Sequence, residues 1–261
     1  MTGDGVNDIL AMKEADCAVS VASGSEAARN VSNLVLQDNN FGSMPKIVNE
    51  GRRVINNIKN SSSLYIMKTL LIFTLAIVCI SLGSEYFFKT NNMMMFELFV
   101  SAIPSFVLSL QPNTNRVKGK FIPYVLSRSI PGALTMALGI LTLYVIHESS
   151  LATVFGLRDS LGETREYHAL MMLSLTFTGL VMLYRICQPF NVVRVCLFAL
   201  AVGLCTIVIS VPYLGNIVFE RWDLIKVSLP QFLLIVIIVQ AAFPLSSTLI
   251  KFFDMINTAD E

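Results

Sequence analysis

The chain has 261 residues, 54% hydrophobic and 14% charged, with a formal net charge of +1 and a mean hydropathy of +0.65. That balance is too apolar for an ordinary soluble domain, and with no basic run it offers nothing to a nucleic-acid partner. It points to an α-helical polytopic membrane protein whose first partner is the lipid bilayer.

The predicted elements begin with a small α/β pattern. Residues 7–14 have helical spacing, 17–22 form a short apolar strand candidate, Ser23-Gly24-Ser25-Glu26 matches a capping box opening a helix through Asn33, and 34–36 read as a second strand. A segment of under about sixty residues buries too little surface to fold alone. Beyond Lys59, apolar runs long enough to cross roughly 30 Å of hydrocarbon alternate with short polar loops. They predict six spans, near 64–83, 93–110, 122–146, 169–186, 192–211 and 227–250. Arg52, Arg53 and Lys59 precede the first span, Arg116, Lys118 and Lys120 fill the second connection, Arg185 and Arg194 flank the fourth, and Lys251 follows the last. The opposite loops mix Lys89, Arg158, Arg165, Arg221 and Lys226 with Glu85, Glu148, Asp159, Glu163 and Glu220. By the positive-inside rule both termini are expected in the cytoplasm, on a multi-pass protein of the cell membrane. The opening residues lack a basic n-region and an apolar h-region, so no cleavable signal peptide is expected.

The densest chemical signal is Thr2-Gly3-Asp4-Gly5-Val6-Asn7-Asp8. Two carboxylates four positions apart follow glycines that let the backbone turn tightly. Mg²⁺ takes oxygen ligands and retains waters, so one carboxylate can bind it directly, the second can orient a bound water, and Asn7 can hydrogen-bond a phosphoryl oxygen. The plainer reading is an Asp/Gly/Asn turn in which Asp8 caps a helix.

Within the apolar runs Lys68 and Glu97 stand out. A charge near a bilayer centre costs about 2.5–3.5 kcal/mol, so each needs a partner, a polar cavity or a route to the interface. Pairing them is the economical reading. Ser101 lies one helical turn from Glu97, and Pro104 frees a carbonyl near that level. The Ser101 hydroxyl either faces an ion or bonds its own backbone. His147 and His168 read as surface imidazoles, Met93-Met94-Met95 as a helix entry, and Trp222 as an interfacial anchor. Cys17, Cys79, Cys187, Cys196 and Cys205 include no Cys-x-x-Cys pair and read as packing side chains.

Thr2 to Asp8 resembles the hinge motif of P-type ATPases letter for letter. The likeness continues through Lys13-Glu14-Ala15-Asp16, Ser23-Gly24-Ser25, Leu36-Gln37-Asp38-Asn39-Asn40-Phe41 and Glu50-Gly51-Arg52-Arg53-Val54-Ile55-Asn56-Asn57-Ile58-Lys59. The resemblance implies a truncated haloacid-dehalogenase-like phosphorylation domain over 1–42, a cytoplasmic stalk over 43–63, pump helices five to ten over 64–250, and a cytoplasmic tail over 251–261. It implies Mg²⁺ and ATP as cofactors, with Asp4 a Mg²⁺ ligand, Asp8 supporting that site and Asn7 touching the phosphoryl group. The run Glu97 to Pro104 and Gln111-Pro112-Asn113 most resemble a bacterial subgroup that moves calcium. On that register Glu97 and Thr69 fall on ion-binding Asn positions, Ser101 on a key Asp, Ile72 on an ion-binding Glu, and Leu180 where some pumps place a carboxylate. Loss of those acids argues against a second calcium site. Asp-Lys-Thr-Gly and Thr-Gly-Glu are absent from this chain. The expectation is a fragment of an ATP-driven cation pump, inactive without the N-terminal half. The rival is a stand-alone six-helix channel, carrier or partner subunit.

Overall fold

The structure is a computed structural model that describes residues 1–84, 86–88, 93–117, 119–157, 163–211 and 227–259. The predicted loop charges Glu85, Lys89, Lys118, Arg158, Asp159, Glu220, Arg221 and Lys226, and the anchor Trp222, lie outside the described residues. The chain divides into two units, Met1–Val54 with Thr114–Arg116, and Ile55–Asn113 with Val117–Glu261.

In the first unit a 3₁₀ turn Val6–Asp8 leads into helix α1 (Ile9–Glu14), followed by β1 (Val19–Val21), α2 (Glu26–Val31) and β2 (Leu34–Leu36). The strands pair in parallel, Val19 opposite Leu34 and Val21 opposite Leu36, and Thr2 bridges Val19 in parallel as well. Parallel neighbours need a crossover, and α2 supplies it. Two small cores result, one of Met12, Ala18 and Ala28, the other of Val19, Val21 and Leu36. The predicted capping box does not form, and the helix starts two residues later. Ser25, not Ser23, is the N-cap, its hydroxyl accepting from the amide of Ala28, and α2 ends at Val31. Ser23 is diverted because its own amide donates to Asn39 Oδ1 at 2.8 Å, and Asn39 adopts φ 54°, a left-handed conformation asparagine tolerates well. Beside it the Asp38 carboxyl is held below its ordinary range, first by the Ser43 hydroxyl and then by the Asn40 amide. Because the folded value is depressed, that contribution to stability is present above the ordinary aspartate range and fades as pH falls through the folded value.

Helix α3 runs Met44–Leu82, 39 residues or about 58 Å at the α-helical rise, well beyond what a bilayer core requires. In the second unit it is followed by α4 (Met94–Ser109), α5 (Phe121–Glu148), a single turn Leu151–Val154, α6 (Glu163–Ile186), α7 (Val192–Ser210) and α8 (Leu229–Ala259). Among the described residues, five helices are long and apolar enough to cross a membrane, those within Phe41–Leu82, Phe121–Glu148, Tyr167–Ile186, Val192–Ser210 and Leu229–Ile256. The remaining predicted span, 93–110, is the shorter apolar helix α4, whose middle, Glu97–Ala102, is π-helical rather than α-helical. Pro104 follows after Ile103, and the donor it lacks would have closed an α-type bond onto Val100.

Lipid tails are as apolar as leucine, so helices in a bilayer associate by close packing at small residues. Gly132 receives Met67 and Met182, and Gly139 receives Ile238. At Gly179 of α6 an added Cβ would stand 2.9 Å from the Phe96 ring and 3.1 Å from Val100 Cγ1. Gly179→Val should therefore cost about 1–3 kcal/mol. Thermal unfolding in detergent measures it, and an unchanged midpoint would show that the ring has room to move.

Candidate functional site

Thr2 extends the edge of β1, with the Gly3 amide donating to the Val19 carbonyl at 3.0 Å, and the chain then turns sharply through Asp4 and Gly5. Asp8 makes that turn. Its Oδ2 accepts from the amides of Asp4 and Gly5, both at 3.2 Å. Although Asp8 stands at the N-cap of α1, its side chain makes no cap hydrogen bond there, so its role is to close the loop. Gly3 is obligatory, since a Cβ would fall 2.5 Å from Asp8 Cβ. A further bond, Ser25 amide to Asp4 carbonyl at 2.7 Å, fixes the loop from the other side. Asp4 and Asn7 are left exposed. The two carboxylates thus divide their work, Asp8 inward on amides and Asp4 outward.

Among the described residues no group of three or more His, Cys, Asp and Glu side chains converges on a point. The exposed Asp4 carboxylate is a hard oxygen donor of the kind Mg²⁺ takes, in a loop that Asp8 closes. Asp8→Ala should free the amides of Asp4 and Gly5 and speed their hydrogen exchange about tenfold, the worth of a charge-assisted bond. Asp4→Ala should leave that exchange unchanged, and equal effects of both substitutions would refute the division of roles.

In the second unit α3 and α4 are joined by a file of polar contacts. Asn57 Nδ2 donates to the carbonyls of Ser109 at 3.0 Å and Gln111 at 2.6 Å, and the Ser61 hydroxyl donates to the Ser105 carbonyl at 2.9 Å. Farther along the same face of α3, Lys68 Nζ forms an ion pair with Glu97 Oε1. The pairing expected from the cost of isolated charges is present. Glu97 opens the π-helical stretch that contains Ser101. The hydroxyls of Ser101 and Ser105 are buried and have no hydrogen-bond partner among the described residues. Each such orphan costs about 1–3 kcal/mol, so they form a polar surface that a cation or water would satisfy. Positions 97, 101 and 105 follow at four-residue intervals on one side of α4.

Thr69 is not part of this cluster. It is exposed, and its hydroxyl donates to the Tyr65 carbonyl of its own helix at 3.0 Å. Ile72 is half-buried, and Leu180 is buried in the core. His147 is no bare surface imidazole. It stacks on Tyr167, ring centroids 4.2 Å apart, with Nδ1 3.1 Å from Glu148 Oε1.

One residue takes a place that sequence reasoning missed. Arg194, read as a loop charge, is buried in the first turn of α7, only 6% exposed. Its Nε donates to Gln111 Oε1 at 2.9 Å, and its Nη1 lies 3.2–3.4 Å from the carbonyls of Cys187, Gln188 and Pro189 beyond the C-terminus of α6. A guanidinium suits that place, since orphan carbonyls at a helix end carry partial negative charge. Its polar partner Gln111 already stood out in the sequence, and an arginine at the head of an apolar run was the available sign.

No family model matches the chain. It is 36% identical over 211 residues to the probable cation-transporting ATPase exp7 of Streptococcus pneumoniae, covering 78% of this chain and 26% of that protein. It is 33% identical over 224 residues to the calcium-transporting ATPase CtpE of Mycolicibacterium smegmatis, covering 81% and 27%. A shorter match, 34% over 112 residues, joins it to the potassium-transporting ATPase alpha chain 2 of Oryctolagus cuniculus, covering 42% and 10%. The chain spans about a quarter of the length of the first two relatives. It is a homologue of the P-type cation-transporting ATPases.

Proposed function

We propose that the chain is the C-terminal part of a P-type pump that couples ATP hydrolysis to cation transport, with calcium the favoured ion. The observation that carries this is the Lys68–Glu97 ion pair at the head of the π-helical segment, beside the buried hydroxyls of Ser101 and Ser105, which have no partner among the described residues. Glu97 is the principal carboxylate for the transported ion, Ser101 offers a neutral oxygen, and Lys68 is a counter-charge that a cation must displace. Thr69 belongs to that site only if α3 rotates. The family's name for calcium comes from relatives such as CtpE.

The parallel β1–α2–β2 arrangement beside the Asp4 loop supports a remnant of a haloacid-dehalogenase-like phosphorylation domain. Asp4 and Asp8 would hold Mg²⁺ there, with Asn7 toward a phosphoryl group, and the metal would offset phosphate charge. ATP and the acceptor aspartate are supplied by the N-terminal half, so this chain alone is inactive. The proposed topology has six crossings, α4 among them, with both termini in the cytoplasm.

A chimera tests the reading. This chain should replace the matching region of the M. smegmatis calcium-transporting ATPase and sustain calcium-stimulated phosphorylation from ATP. A chimera that folds and stays in the membrane, yet shows no cation-stimulated phosphorylation, would overturn the proposal.

A further inference from the structure

Where the N-terminal turn of α5 meets α3 and the end of α8, two cations share one aromatic ring. Arg128 lies over Tyr124 with its guanidinium carbon 3.9 Å from the ring centroid, and Lys59 Nζ approaches the same ring at 5.1 Å. The ring is fixed by its hydroxyl, which donates to Asn60 Oδ1 at 3.1 Å. Lys59 is only 4% exposed and donates to the Gly119 carbonyl at 3.3 Å, so its charge cannot move away. Among the described residues, the acid paired with Arg128 is Asp254 of α8. It stands 3.7 Å from Arg128 Nη1, wider than a hydrogen bond, and is itself half exposed. Arg128 therefore faces a loosely held carboxylate.

Arg128 has donors to spare. Among the described residues its one hydrogen bond runs from Nη1 to Ser127 Oγ at 3.1 Å, leaving Nε and Nη2 without an acceptor. A planar guanidinium held over a ring offers that edge in the fork geometry that matches two oxygens of a phosphate. The surroundings select the source of the phosphate. On α5, Ile122 and Leu126 are exposed, and on α8, Phe252 and Met255 are exposed, so both helices carry apolar surface at this end. Free phosphate gains nothing from such surface, whereas the acyl chains of a phospholipid cover it.

We propose that Arg128, braced on Tyr124 and backed by the buried charge of Lys59, binds the phosphate of an anionic phospholipid, whose chains lie along the exposed apolar faces of α5 and α8. Asp254 competes with the lipid for Arg128 and weakens its hold. The proposal is independent of the transported ion.

The full chain in nanodiscs, of phosphatidylcholine alone or with phosphatidylglycerol, gives the test, by native mass spectrometry of retained lipid and by thermal unfolding. Phosphatidylglycerol should be retained and should raise the unfolding midpoint. Arg128→Gln should weaken retention about fivefold, the worth of one basic residue at a membrane surface. Asp254→Asn should strengthen it by a similar factor. That opposition in sign is the deciding result, because a merely structural Arg128–Asp254 pair would be damaged alike by either change. Equal loss in both variants, or no preference for phosphatidylglycerol, would overturn the proposal. So would an equal rise in midpoint when inorganic phosphate is added to phosphatidylcholine nanodiscs, which would assign the site to free phosphate.

Discussion

Glu97→Gln, placed in a pump containing this chain, should weaken the calcium dependence of phosphorylation about ten- to hundredfold while folding survives. The substitution keeps the shape of the side chain and removes its charge. A charge-assisted contact is worth roughly 1.5–3 kcal/mol, and each 1.4 kcal/mol is a factor of ten in affinity. Stability should change by less than about 1 kcal/mol, because the Lys68–Glu97 pair is partly exposed, with 25% and 35% of the two side chains accessible. Lys68→Met should act in the opposite sense on cation affinity, since the competing ammonium is removed and Glu97 stays. Unchanged calcium dependence in Glu97→Gln would make the carboxylate a snorkelling interfacial group, leaving the ion to neutral oxygens.

Arg194→Met should cost the chain about 3 kcal/mol. The aliphatic stem is replaced, so packing is nearly kept, but Gln111 and the carbonyls of Cys187, Gln188 and Pro189 lose their common donor in a buried place. Each unsatisfied buried acceptor costs about 1–3 kcal/mol, offset where water enters. For a chain of this size that is a fall of roughly 6–12 °C in the unfolding midpoint. Arg194→Lys should fall between the two, since an ammonium carries the charge but cannot span Gln111 and the α6 terminus at once. A midpoint within a degree of the unsubstituted chain would show that the burial of Arg194 has no energetic consequence.

Composition and the spacing of apolar runs were enough to place five helices, because a bilayer demands one simple thing, about twenty apolar residues. The strand at Leu34–Leu36 was equally plain. The Lys68–Glu97 pair could be anticipated because the cost of a lone intramembrane charge leaves few alternatives. What stayed hidden depends on tertiary contacts. Ser23 and Ser25 are equally good N-caps in sequence, and only the bond from Ser23 to Asn39 decides between them. Thr69 turns outward because the face of α3 that meets the bundle carries Leu64, Met67, Leu71 and Leu75. The π-helical segment has a marker, Pro104, but proline also permits a simple kink, and what distinguishes the two is the fit of Phe96 and Val100 against Gly179.

A π turn holds one more residue than the α turn it replaces, so the segment Glu97–Ala102 works like a stored fraction of a screw thread. Were it to tighten to α geometry, the chain on one side of it would rotate by about 100° about the helix axis relative to the other, one residue's worth of twist. Glu97 sits at the leading edge of that thread and Pro104 just past its trailing edge. The carboxylate could thus be swung off Lys68 while Ser105, held through its carbonyl by Ser61, stayed where it is.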